Sequence, residues 1–199
     1  MVKPKRIALF GGSFNPPHIS HQMICFYLLE YKGFDYVYLI PTYKHPFGKQ
    51  LISFEHRVKM CCRLALPFVG KVIIDSVEAY LSESRSEQTK QCYTIDVVRE
   101  FTTRHPEVDF TLIIGSDVLE ELDKWKEFNE IRKLVEVLVL ARGDYVNPNT
   151  SIWLYDIAYF RKPEYSSTEI RELVAKSKSI EHCVPPRVRQ YIRKNKLYI

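Results

Sequence analysis

The sequence has no apolar run long enough to span a membrane, and the apolar run behind its basic amino terminus is too short for a secretory signal. No pair of cysteines stands at Cys-x-x-Cys spacing. Cys25, Cys61, Cys62, Cys92 and Cys183 are odd in number and sit mostly in apolar settings, which argues against a zinc pair or a redox motif and for reduced thiols in the cytoplasm. Repeats, low-complexity tracts and an obvious linker are missing too. So is any Ser-His-Asp or Cys-His set for nucleophilic catalysis. The net charge of +5 is mild for 199 residues. It suits phosphate-bearing small molecules and gives no reason to expect nucleic acid or a membrane as partner. The expectation is a single domain, residues 1–199, with a helical carboxyl-terminal part from about 166.

What is present is alternation. Short apolar runs at 7–10, 35–40, 71–75, 109–114 and 135–141 read as strands, with a sixth candidate at 152–160. Helical patterns stand between them. Ile24, Tyr27, Leu28 and Tyr31 share one spacing, Ser53 can cap a helix striped by Phe54, Val58, Cys61 and Ala65, and Tyr93 or Thr94 opens a helix that His105-Pro106 stops. Further helical patterns contain Leu119 and Leu122 or cover 128–134, 167–176 and 185–194, whereas 82–91 reads as an exposed polar loop. Strands alternating with helices imply an α/β fold, an open and mostly parallel sheet covered on both faces. Such sheets bind ligands past the carboxyl ends of their strands, where the strand order reverses.

The first strand runs into Gly11-Gly12-Ser13-Phe14-Asn15-Pro16-Pro17-His18-Ile19-Ser20-His21. A strand, a glycine turn and a helix start make an anion site, because unbonded N–H groups and the helix dipole face the turn. His18 and His21, three apart, place two imidazoles on one face of the first helical turn. That chemistry suits a triphosphate.

A second anchor is Tyr165-Ser166-Ser167-Thr168-Glu169-Ile170-Arg171. Ser166 with Glu169 has the form of a capping box, a common device at helix starts. The same residues gather hydroxyls at a helix amino terminus, and Arg171 adds a planar fork of donors suited to phosphate oxygens.

The first stretch resembles the nucleotide-binding signature of the nucleotidylyltransferase superfamily, Gly-Ser/Thr-Phe-Asp/Asn-Pro-x-His-x-Gly-His, and the second resembles that superfamily's Ser-Ser-Thr-x-Ile/Leu-Arg motif. Over nearly its whole length the chain is similar to nicotinate mononucleotide adenylyltransferases of the bacterial type. The matching segments include Ser53-Phe54-Glu55-His56-Arg57, Tyr93-Thr94-Ile95-Asp96, Ile114-Gly115-Ser116-Asp117, Asp123-Lys124-Trp125 and Val184-Pro185-Pro186-Arg187. The resemblance implies a Rossmann-like sheet and adenylyl transfer from ATP to a pyridine mononucleotide, nicotinate first and nicotinamide as a competing acceptor, in NAD biosynthesis.

It further implies His18, His21 and Arg171 as catalytic residues. Gly11, Gly12, Ser13, Phe14, Ser20, Gly115, Asp117, Ser166, Ser167 and Thr168 would bind ATP, and Asn15, Lys44, Thr94 and Trp125 the mononucleotide. Mg²⁺ would bridge phosphates without a dedicated protein metal site, and a homo-oligomer is compatible with the pattern. From the residues alone, Trp125 reads equally well as a packing residue, and His45, His56, His105 and His182 as surface or packing histidines.

Two departures from the family pattern stand out. Ser20 replaces the glycine between the histidines, where its bulk is expected to crowd the nucleotide. The second loop reads Lys44-His45-Pro46-Phe47-Gly48-Lys49 in place of Pro-Pro-His-Lys, with Lys44 or Lys49 supplying the basic group. A nucleotidylyltransferase with another phosphorylated acceptor and a non-catalytic nucleotide-binding regulator remain the alternatives.

Overall fold

The computed structural model describes residues 5–44, 48, 50–85, 91–141, 156–159 and 165–199. Strands β1 (Arg6–Gly12), β2 (Tyr36–Pro41), β3 (Val72–Ile74), β4 (Asp109–Gly115), β5 (Glu136–Ala141) and β6 (Asp156–Tyr159) form one sheet in the order β3-β2-β1-β4-β5-β6. All its pairings are parallel. The chain winds outward from β1 to β3, then returns to β4 on the other side. Strand order therefore reverses between β1 and β4, and the carboxyl ends of both open on the same edge.

Alternation along the strands divides the core into two layers. Ala8 and Phe10 of β1, Ile113 of β4 and Leu138 and Leu140 of β5 face one layer. Helices α1 (Ile19–Glu30), α2 (Phe54–Ala65), α6 (Ser167–Ala175) and α7 (Pro186–Lys194) close it with Leu28, Leu64, Ile170 and Val188. Ile7, Leu9, Leu112, Val137 and Val139 face the other layer, covered by Val77, Val98 and Ile131 from α3 (Val77–Glu83), α4 (Thr94–Arg104) and α5 (Phe128–Leu134). The strand β5 is thus buried on both sides, as its unbroken apolar run suggests. Among the described residues, no helix is long and apolar enough to cross a membrane.

The structure corrects the sequence in places. The expected loop at 82–91 begins inside α3, where Ser82 is buried; residues 86–90 lie outside those described. Asp75 starts this helix by accepting the Val77 N–H at 2.8 Å, and two turns are too short to display a period. The segment with Leu119 and Leu122 is a 3-10 helix, Ser116–Lys124. Tyr31, expected on the apolar stripe of α1, caps that helix and is 75% exposed. Of the sixth strand, 156–159 is described and the flanking part lies outside.

Candidate active site

Three strand ends, those of β2, β1 and β4, lie side by side and feed the loops of interest. The first two loops are joined where the Thr42 N–H donates to the Gly12 carbonyl at 2.9 Å. In the loop after β1, Phe14 takes a left-handed backbone (φ 44°), uncommon away from glycine. Its ring turns inward, edge-on to Phe10 at 5.7 Å and to His21 at 5.0 Å. A β-carbon on Gly12 would stand 3.1 Å from that ring, whereas one on Gly11 would meet nothing within 4 Å. Gly12 therefore serves the fold, and Gly11 leaves open space at the end of β1.

His18 is the N-cap of α1 and His21 its third residue. The His18 N–H donates to Nδ1 of His21 at 3.1 Å, and the two rings lie 3.7 Å apart. Acceptance at Nδ1 puts the proton of neutral His21 on Nε2, so that edge of the ring is a donor. Ser20, between them, is buried to 1% exposure.

The carboxyl-terminal helices grip the same loop. Arg171 Nη1 donates to the Asn15 carbonyl at 2.8 Å, and Ser167 Oγ donates to the Pro16 carbonyl at 2.9 Å. The Tyr198 hydroxyl donates to Asn15 Oδ1 at 2.9 Å, and the Ile19 N–H donates to the Cys183 carbonyl at 3.0 Å. Ser166 caps α6, its Oγ accepting the Glu169 N–H at 3.1 Å while its own N–H donates to the Glu169 carboxylate at 2.7 Å. Thr168 Oγ1 accepts from Arg171 Nη2 at 3.1 Å. All three hydroxyls of Ser166-Ser167-Thr168 are thus engaged within the protein.

A buried arginine braces the loops from below. Arg57 of α2 is 1% exposed, and loss of water pushes its pKa down. It donates from Nη1 to the Ser13 carbonyl at 3.0 Å and from Nε to the Ile52 carbonyl at 3.1 Å, with a longer Nη2 contact to the Tyr43 carbonyl at 3.4 Å. Beside it, Glu78 of α3 accepts the Tyr43 N–H at 2.9 Å, and burial pushes its carboxyl pKa up to about 7. Lys44, next in the loop, is exposed. His45 and Lys49 lie outside the described residues.

At the end of β4, a β-carbon on Gly115 would come within 2.3 Å of Asp117 Oδ1. Glycine there is what allows the exposed Asp117 carboxylate to fold back over the strand end. Thr94 is the first residue of α4, after the N-cap Tyr93, whose N–H donates to Asp96 Oδ2 at 2.9 Å. Asp96 also holds Arg85 at 2.8 Å; burial pushes its carboxyl pKa up, but the Arg85 guanidinium and the Tyr93 N–H together hold it below the usual range. Lys126 Nζ lies 5.0 Å from the centre of the Tyr93 ring, which sets the Trp125 turn beside this helix start. Trp125 itself is half-buried, edge-on to Phe128 at 6.1 Å.

Residues 9–173 match the model of the cytidylyltransferase-like family. The chain belongs to that family. It is 40% identical to a probable nicotinate-nucleotide adenylyltransferase of Myxococcus xanthus, over 97% of this chain and 94% of that one. A relative of the same name in Bacillus pumilus is 30% identical over 98% of each. Among solved structures, the Plasmodium falciparum nicotinic acid mononucleotide adenylyltransferase complexed with NaAD superposes with a TM-score of 0.78. It covers 98% of this chain and 97% of that one at 20% identity, a likeness of fold.

Within this cytidylyltransferase-like frame, the expected phosphate residues come together. Gly11 to His21, Arg171 and Ser167 form one bonded unit at the reversal point. Thr94 and Trp125 stand apart from that unit, on the layer of α4 and α5, and Asp117 follows the end of β4, the strand beside β1. Sequence reasoning missed the bracing roles of Arg57, Glu78 and Tyr198. For Arg57 a signal was there, a charged residue three beyond Phe54 and four before Cys61 on the apolar face of α2. Nothing in the pattern around Tyr198 marks it.

Proposed function

We propose that the chain transfers the adenylyl group of ATP to nicotinate mononucleotide. A phosphate oxygen of the mononucleotide attacks the α-phosphorus, the bond from that phosphorus to the bridging oxygen of the β-phosphate breaks, and pyrophosphate leaves. The nucleophile is already an anion at neutral pH, so no side-chain base is required. What the protein must supply is alignment and donors aimed at developing negative charge.

The observation that carries this reading is the close pair of imidazoles, His18 and His21, whose rings lie 3.7 Å apart with their planes tilted by 39°, held at the start of α1 beside a loop that Arg171 clamps. His21 would donate from Nε2 to a phosphate oxygen, with His18 beside it. Arg171 would hold the departing pyrophosphate, and Asp117 would reach the ribose or a phosphate. Asn15, Lys44, Thr94 and Trp125 would take the mononucleotide, with the carboxylate of the pyridine at the α4 amino terminus and its ring on the indole.

Mg²⁺ would fit this scheme as a counter-charge to the triphosphate. His18, His21 and Arg171 offer donors that meet anionic oxygens, so the ligands of the metal would be phosphate oxygens and water, as suits Mg²⁺. When bound, it neutralises charge on the triphosphate.

Pyrophosphate release from ATP and Mg²⁺ tests the reading. Nicotinate mononucleotide should give turnover, and nicotinamide mononucleotide, phosphopantetheine and a sugar phosphate serve as rival acceptors. Turnover with one of the last two alone would reassign the acceptor, and ATP binding without turnover on any acceptor would make the chain a nucleotide-binding regulator.

A further inference from the structure

We propose that Arg57 is a positioning residue for adenylyl transfer, setting the loop after β2 against the loop after β1 so that mononucleotide and ATP meet in line. The inference rests on the adenylyl-transfer reading above.

Arg57 is among the largest fully buried side chains, yet it makes no ion pair among the described residues. Removing a guanidinium from water without a carboxylate partner is costly. The hydrogen-bonding compensation comes from main-chain carbonyls, those of Ser13, Ile52 and Tyr43, with the nearby Glu78 carboxyl adding attraction from beyond ion-pair distance. Tyr43 and Ile52 are the two ends of the second loop, and Ser13 lies in the phosphate loop. One planar fork thus closes the base of one loop and ties it to the other. A lysine ammonium, a point charge on a single stem, cannot reach the same three directions.

The surroundings fix the fork in place. The Phe54 ring lies 5.4 Å from the guanidinium carbon and is itself edge-on to Tyr43 at 5.1 Å. Glu78 holds the Tyr43 N–H from the opposite side. Lys44, the basic residue assigned to the mononucleotide, follows directly on Tyr43. A shift of the Tyr43 carbonyl therefore moves Lys44 relative to Gly11 and His18.

The test is Arg57→Lys, which keeps the charge and removes the fork. Thermal unfolding, ATP affinity by calorimetry, and kcat and KM for nicotinate mononucleotide are measured, with rates per folded molecule. ATP affinity should fall only slightly, because Arg171 and Ser167 still hold residues 15 and 16 of the phosphate loop, and KM for the mononucleotide should rise about tenfold, the worth of one lost hydrogen bond. Turnover should fall on the order of a hundredfold, as displacement by about 1 Å can cause. A lower melting temperature with kcat and KM unchanged would make Arg57 a core brace only and overturn the proposal. Were the wild-type protein inactive on every acceptor, the adenylyl-transfer reading would fall first. Hydrogen exchange then decides on Arg57: faster exchange at the amides of residues 13–15 and of the second loop together supports the coupling of the loops, and faster exchange at 13–15 alone refutes it.

Discussion

Arg171 donates to the carbonyl of Asn15 at 2.8 Å, across 156 residues of chain. That bond, with the one from Ser167 to Pro16, makes the start of α6 and the phosphate loop a single unit. Of five guanidinium donors, Arg171 spends one on Asn15 and one on Thr168, which leaves donors for a pyrophosphate. Arg171→Lys cannot serve both ends. Turnover should drop about a hundredfold, as for other lost donors to a reacting oxyanion, and pyrophosphate release measures it. Full turnover with a lower melting temperature would confine Arg171 to bracing the loop.

Tyr198→Phe is the gentler test of the same loop. The change removes one oxygen and leaves Asn15 Oδ1 without its hydroxyl donor in a buried site. An unsatisfied buried acceptor costs about 1–3 kcal/mol, so the melting temperature should fall by roughly 2–12 °C for a chain of this size. KM for the mononucleotide should rise while ATP affinity holds. Unchanged melting and kinetics would mean that Asn15 finds its orientation without Tyr198.

How much of this was legible beforehand depends on the range of each interaction. The alternation of strands and helices, the caps at Ser53 and Ser166 and the pairing of His18 with His21 are local, written within a few residues. The grip of Arg171, Ser167 and Tyr198 on residues 15 and 16 joins distant segments, and no local pattern encodes it. Arg57 was visible only as an anomaly, a charge on the apolar face of α2, whose partners are carbonyls that any sequence would supply. The helix α3 was hidden by its length. The capping geometry at Ser166 also shows why a motif can carry two meanings: the hydroxyls that the family resemblance assigns to phosphate are engaged in holding the helix and the loop.

His21→Ala tests the imidazole pair. The ring is half-buried and packs on the core rings Phe10 and Phe14 as well as on His18, so some packing is lost, while both phenylalanines stay within the layer formed by their other core neighbours. Turnover should fall about a hundredfold or more, with the melting temperature lowered only slightly. Collapse of stability with an unchanged rate per folded molecule would place His21 in the core and remove it from the chemistry.

Glu78 gives a pH dependence of definite sign. Its carboxyl pKa is raised in the folded protein, chiefly by burial, to about 7. The native state therefore binds a proton more readily than the unfolded chain. The contribution of Glu78 to stability is complete below the unfolded pKa, near 4.5, and is lost as pH rises through about 7. A shift of this size corresponds to roughly 3 kcal/mol. Glu78→Gln keeps an acceptor for the Tyr43 N–H and removes the titration. Melts from pH 5 to 8 should be flatter for the variant, with its relative gain at the alkaline end. Parallel profiles for the two proteins would show that Glu78 ionises without cost.

Ser20 is where the chain breaks its family's motif, and from sequence its bulk should crowd the nucleotide. The structure changes the balance. Ser20 is 1% exposed, covered by protein in the first turn of α1, so its side chain does not line the open space above Gly11. Crowding then loses its cause, and smaller effects on stability remain. Replacing serine by glycine inside a helix costs roughly 0.5 kcal/mol in propensity, and removing a buried hydroxymethyl group leaves a small void. Ser20→Gly should therefore lower the melting temperature by a degree or more and leave ATP affinity and turnover close to the parent values. Calorimetry with ATP, run beside a melt, separates the cases. A marked tightening of ATP binding on restoring glycine would return crowding to the account, since stability effects alone cannot raise affinity in a folded population. A marked weakening would instead make the Ser20 hydroxyl part of the phosphate site, reached by a rearrangement of the first turn when ATP binds.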